Sequence, residues 1–150
     1  MRLALYQPDI PQNTGTIIRL CACLGVALDV IEPCGFTFTD RQLQRAALDY
    51  APLAEVRRHA SWPAFVDTID GRLLLLTTAA ERAYGEFAYR PGDILVLGRE
   101  EAGVPAEVHA RAEARLRIPM RAEARSLNVA VAGAMVLGEA LRQTDGFARA

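Results

Sequence analysis

Ile94-Leu95-Val96-Leu97-Gly98-Arg99-Glu100-Glu101-Ala102-Gly103-Val104-Pro105 is the stretch that decides the fold. Its first four residues are an unbroken apolar run, the pattern of a strand covered on both faces rather than on one. Gly98, a charged triplet, Gly103 and Pro105 then end the strand in a loop, and the proline can open a helix. Leu73 to Thr77 repeats the buried-strand pattern upstream.

Outward from these two runs, strand and helix alternate. Leu3 to Tyr6 is a short strand ended by Gln7-Pro8. Pro11 to Gly15 reads as a loop, and Ile17, Ile18, Leu20, Cys21 and Leu24 give helical periodicity stopped by Gly25. Leu28 to Ile31 is the second strand, and Asp40 caps a helix carrying Leu43, Ala46, Ala47 and Leu48. Glu55 to Arg58 is a short strand, and Ser61 opens a helix through Phe65, Val66 and Ile69 that ends at Gly71. Pro105 begins another helix, Leu116 to Ile118 is the last strand, and Asn128 to Arg142 the last helix. The expected architecture is α/β, a largely parallel sheet flanked by helices, as one domain over residues 1–150.

Composition agrees. The chain has 150 residues, 51% of them hydrophobic and 23% charged, enough for a sizeable core and too apolar for disorder. Net charge is −1, so no overall basic field points to nucleic acid. All 17 basic residues are arginine, whose planar fork suits phosphate, although genome base composition produces the same bias. Cys21, Cys23 and Cys34 lack repeated metal-ligand spacing and read as reduced core residues. His59 and His109 are too few to suggest a metal site. No run is long enough for a membrane span or a signal peptide, so a cytoplasmic protein is expected.

Ligands of such sheets sit outside the carboxyl ends of the strands. Three stretches fall there: Leu76-Thr77-Thr78, the Gly98-to-Pro105 loop, and Ile118-Pro119-Met120 with Ser126-Leu127-Asn128. In the last, Pro119 breaks the strand, and either Ser126 or Asn128 can cap the final helix. A loop with unpaired backbone groups beside a helix start can hold a small polar ligand together with an anion.

Three ordered motifs resemble those of the SPOUT class of S-adenosylmethionine-dependent RNA methyltransferases, in its SpoU branch. They are Asn13-Thr14-Gly15 with Arg19, Leu97-Gly98-Arg99-Glu100 through Gly103-Val104-Pro105, and Ile118-Pro119-Met120 with Ser126-Leu127-Asn128. Leu5-Tyr6, Pro11, Ile31-Glu32-Pro33, Gly35-Phe36 and Leu48-Asp49-Tyr50 extend the likeness to the subgroup that methylates the wobble ribose, of cytidine or uridine, in leucine tRNAs. The resemblance implies a C-terminal trefoil knot whose loops form the cofactor pocket, and a homodimer that shares its active site. It further implies that Leu76, Gly98, Gly103, Ile118, Met120, Ser126 and Leu127 hold S-adenosylmethionine.

Arg19 is the implied catalytic residue. A guanidinium stays protonated, so its expected part is to bind the target phosphate and stabilise the developing alkoxide, with phosphate, water or a carboxylate taking the proton. Glu100 is the nearest carboxylate by motif, and three readings stand for it: proton acceptor, partner that orients Arg19, or structural ion pair. Asn13, Asn128, Arg41, Arg45, Arg121 and Arg125 are the expected tRNA contacts, and neither metal nor membrane is implied. The last helix, from Val129 to Leu141, is the candidate dimer interface.

Two positions and one stretch depart from the subgroup's pattern: Gly138 replaces a common tyrosine, Arg99 a proline, and Ala79 to Arg82 a shorter turn. Two readings compete, a SpoU enzyme acting at another tRNA or rRNA site and a non-catalytic RNA-binding protein. A dinucleotide oxidoreductase lacks its glycine-rich first turn, and a serine hydrolase lacks its Gly-x-Ser-x-Gly elbow.

Overall fold

The computed structural model describes residues 1–148. Seven strands form one sheet: β1 (Arg2–Tyr6), β2 (Ala27–Ile31), β3 (Val56–His59), β4 (Leu73–Leu76), β5 (Arg82–Ala83), β6 (Ile94–Leu97) and β7 (Ala114–Arg117). Their order is β3-β2-β1-β6-β4-β7-β5, and every pairing is parallel. Parallel neighbours require crossovers, which α1 (Pro11–Leu24), α2 (Arg41–Ala47), α3 (Trp62–Val66) and α4 (Ala106–Arg111) help to supply, while α5 (Val129–Gln143) follows the last strand.

The two-residue period of the strands sorts the core into two layers. Leu3, Leu5, Leu74, Leu95 and Leu97 face Ile17 and Cys21 of α1 and Val136, Leu137 and Leu141 of α5. Ala4, Tyr6, Leu73, Leu75, Ile94 and Val96 face Trp62 and Phe65 of α3 and Val108 of α4. Both faces of β4 and β6 are therefore covered, which is why their sequences show no alternation. Each fully buried leucine contributes roughly 1.5–3 kcal/mol.

Two buried carboxylates complete the frame. Asp93 accepts hydrogen bonds from Arg72 Nε (2.8 Å), Arg72 Nη2 (2.8 Å) and the Arg90 amide (2.7 Å). Asp29, inside β2, lies 2.7 Å from His59 Nε2 and 3.4 Å from Arg2 Nη1.

Several sequence expectations change. Pro11 to Gly15 is the first turn of α1, because proline at a helix start gives up an N–H that has no partner there anyway. Gly15 is then needed for contact: a Cβ on it would lie 2.3 Å from the Leu43 carbonyl oxygen of α2. The Asp40 cap is present, donated to by the Gln42 and Leu43 amides, but α2 stops at Ala47 because Leu48 turns to φ 52°. Helix α3 ends at Val66 rather than Gly71, and β7 runs Ala114–Arg117 rather than Leu116 to Ile118. Strand β5, two residues at the sheet edge, has no sequence pattern. Of the cysteines only Cys21 is buried; Cys23 is exposed, as a two-residue offset on one helix demands. Burial pushes the Cys21 thiol up to about 12. No helix among the described residues is long and apolar enough to cross a membrane.

Candidate active site

The carboxyl ends of β4, β6 and β7 open into a cavity of about 640 Å³, within the range of small-molecule sites. Leu76, Ile118 and Leu127 give it apolar walls. Gly98 and Gly103 form its floor, where a Cβ on Gly98 would stand 3.0 Å from the Gly103 carbonyl carbon. Reciprocal 3.0 Å bonds between the Arg99 and Gly103 backbones close that loop. Gly103 has φ 63°, a conformation that favours glycine. Met120 and Ser126 come from the third loop. Among the described residues, the peptide groups of Met120, Ser126 and Leu127 pair with no other backbone group, which leaves them open to solvent or to a ligand.

A chain of side-chain hydrogen bonds ties the second and third loops to the start of α1. Asn128 Oδ1 accepts from the Ala130 amide (2.8 Å) and the Val131 amide (3.3 Å), so Asn128, not Ser126, caps α5. Its Nδ2 donates to Asn13 Oδ1 (2.9 Å), and Asn13 Nδ2 donates to Glu100 Oε1 (3.3 Å). Glu100 also accepts from the Asp9 amide (2.8 Å) and the Ile10 amide (3.3 Å), just before α1. Helix α1 has no side-chain cap of its own, so a carboxylate from another loop serves its start, where negative charge is favoured. Arg99 Nη2 lies 2.7 Å from Asp9 Oδ1, and this hydrogen bond, then the charge of Asp9, raises the pKa of the Arg99 guanidinium.

All seven residues expected to hold the cofactor line this cavity, as do Glu100, Asn13 and Asn128. Thr77, Thr78, His109 and Arg117 line it too. The two threonines follow a strand end already marked in the sequence, and Arg117 belongs to the arginines that crowd the third motif, whereas nothing in the pattern around His109 sets it apart. Arg19 is not in the cavity of its own chain. It lies exposed on α1 with its guanidinium 5.0 Å from the centre of the Tyr50 ring. Glu100 is hydrogen-bonded to Asp9, Ile10 and Asn13, so the reading in which it orients Arg19 finds no pair here. Arg121 and Arg125 are exposed on the loop beside the cavity, while Arg41 and Arg45 are exposed on α2, away from it. Gly138 sits half-buried on α5 with open space where a Cβ would be. No cluster among the described residues has the makings of a metal site.

Residues 1–138 match the SpoU rRNA methylase family. The chain is 57% identical, over 98% of its length and 94% of the relative's, to a tRNA (cytidine(34)-2'-O)-methyltransferase of Beijerinckia indica. A solved structure described as giving structural insights into the 2-OH methylation of C/U34 on tRNA superposes with a TM-score of 0.91 at 42% identity, covering 95% of this chain and 94% of that one. An AdoMet-bound rRNA methyltransferase from Sinorhizobium meliloti superposes with a TM-score of 0.85 at 28% identity, covering 94% of this chain and 55% of the other.

Proposed function

The chain belongs to the SpoU rRNA methylase family, and from that premise we propose that it methylates the ribose 2′-hydroxyl of nucleotide 34, cytidine or uridine, in tRNA. The relative at 57% identity and the superposed structure of C/U34 methylation support that position. The observation that carries the reading is the single cavity built by all three family motifs and tied by the Asn128–Asn13–Glu100 chain. Leucine isoacceptors are the substrates in this reading, the cytoplasm is its setting, and residues 1–150 act as one SPOUT domain.

S-adenosylmethionine, when bound, supplies an electrophilic methyl group on a sulfonium. The cavity fits it: apolar walls suit a nucleoside, and unpaired peptide groups suit the edge of adenine. Leu76, Ile118 and Leu127 exclude water, while Met120, Ser126 and Leu127 offer backbone donors and acceptors. Glu100 and the two asparagines keep the loops at a fixed separation, which in-line transfer requires.

Arg19 acts from a second protomer in this reading. Leu127 (39% exposed), Val131 (50%) and Met135 (38%) leave an apolar strip at the start of α5, beside the cavity, and α5 packs on α1, which carries Arg19. Pairing two copies along that strip supports a shared site in which Arg19 binds the target phosphate and stabilises the alkoxide, with phosphate, water or a carboxylate taking the proton. Arg121, Arg125, Arg41 and Arg45 then meet tRNA phosphates, which position without reading sequence. The path of the chain beyond β7, crossing back over β4 and β6 to reach α1, supports the trefoil knot.

Two measurements test this. Incubation with S-adenosylmethionine and leucine tRNA is expected to give 2′-O-methylation at nucleotide 34 by nucleoside mass spectrometry; an unmodified product would sink the reading. Glu100→Ala strips the Asp9 and Ile10 amides of their acceptor and is expected to weaken S-adenosylhomocysteine binding roughly tenfold by calorimetry. Affinity equal to that of the parent would remove Glu100 from the role of holding the loops.

A further inference from the structure

A second cleft lies at the same edge of the sheet, where β2 and β3 end. Glu32, Cys34, Phe36, Thr37, Phe38 and Arg58 are among its walls. The Phe36 and Phe38 rings stand 6.0 Å apart at 45°, both half-buried. Arg58 lies over the Phe38 ring, 4.3 Å from its centre. Glu32 makes an ion pair with Arg58. The thiol between them and the main cavity, Cys34, is pushed up to about 11, chiefly by burial, and so stays neutral.

These groups suit a flat, polar-edged, uncharged partner. Glu32 offsets the charge of Arg58, which makes the cleft a poor phosphate site. Arg58 covers one face of Phe38, so the half-exposed guanidinium plane backed by that ring, and the neighbouring Phe36 ring, remain for stacking, and base–aromatic stacking reinforced by arginine is how proteins hold single-stranded bases. Thr37 and Thr39 hydroxyls at the rim, 3.0 Å apart, can serve the edge of a base.

The cleft is physically joined to the cavity. The Gly35 amide donates to the Pro8 carbonyl (2.9 Å), and a Cβ on Gly35 would sit 3.0 Å from the Asp9 oxygen. Asp9 in turn is held by Arg99 and Glu100 of the cavity loop. The sheet order places the β2 and β3 ends two to three strands from the end of β6, about 10–15 Å at the usual strand spacing.

We propose that the Phe36–Phe38–Arg58 cleft is a base-stacking subsite for a nucleotide of the substrate RNA flanking the one that is methylated. This rests on the RNA methyltransferase reading above. Phe38→Leu keeps an apolar side chain in place and removes the stacking face, and Phe38→Tyr restores it. Steady-state methylation of tRNA is measured for the parent and both variants, with S-adenosylhomocysteine affinity measured on the same samples. The expected result is a rise of about tenfold in KM for tRNA with Phe38→Leu. The Tyr variant is expected to recover it, and cofactor affinity to stay at the parent value. A KM within twofold of the parent would overturn the subsite, and so would a matching loss of cofactor affinity, which marks mere structural damage. Absence of methyl transfer by the parent itself is the separate failure, that of the function reading, and removes the subsite with it.

Discussion

Arg19→Ala is expected to lower methyl transfer by about 10²–10³-fold, the usual cost of removing one group that stabilises developing negative charge. Cofactor affinity should be untouched, because Arg19 lies outside the cavity of its own chain and its part at the second protomer's cavity is to bind the target phosphate, not the cofactor. The fold should be untouched as well, since the side chain is exposed and lies over the Tyr50 ring. A mixing experiment decides whether it acts across a dimer. Arg19→Ala is combined with a second variant whose cavity is blocked, such as Gly98→Val. A shared site predicts that mixed dimers regain activity at one of their two sites, where an intact cavity meets an intact Arg19. A site complete within one chain predicts no recovery. Full turnover by Arg19→Ala alone would refute its catalytic part.

The largest stability effect is expected at Asp93. Its carboxylate is 1% exposed and accepts from both Nε and Nη2 of Arg72, besides the Arg90 amide, while Nη2 also donates to the Ala88 carbonyl. Asp93→Ala leaves Arg72 Nε and the Arg90 amide without an acceptor and the largely covered guanidinium without its counter-charge, and removing one member of a buried pair costs about 3–5 kcal/mol. For a chain of this size that is on the order of 10 °C in melting temperature. Thermal unfolding followed by circular dichroism measures it. A shift of one or two degrees would show that water or a neighbouring group replaces the carboxylate.

Most of the frame was readable from particular residues. Leu73 to Leu76 and Ile94 to Leu97 announce strands covered on both faces, and both proved central to the sheet. Asp40 and Ser61 cap the helices they precede, as their side chains allow. What stayed hidden depends on partners distant in the chain. Strand β5 exists because β7 offers it an edge, not because Arg82-Ala83 has any preference. The start of α1 reads as a loop in the sequence because its missing cap is supplied by Glu100, some ninety positions away. The cavity followed from its motifs, since glycine, proline and a capping amide mark strand-end loops locally. The second cleft did not, because Phe36, Phe38 and Arg58 come together only once β2 and β3 pair.

Asn128 shows how narrow a choice one position can leave. Aspartate or serine starts a helix as well as asparagine does in isolation. Here the same side chain must accept from α5 and, with its other atom, donate to Asn13. Aspartate has no proton to give and would set a negative oxygen against the Asn13 carbonyl. Serine is too short to serve both neighbours at once. Only a primary amide is bifunctional in the required sense, so Asn128 works as a keystone: it joins the start of one helix to the start of another through a single planar group.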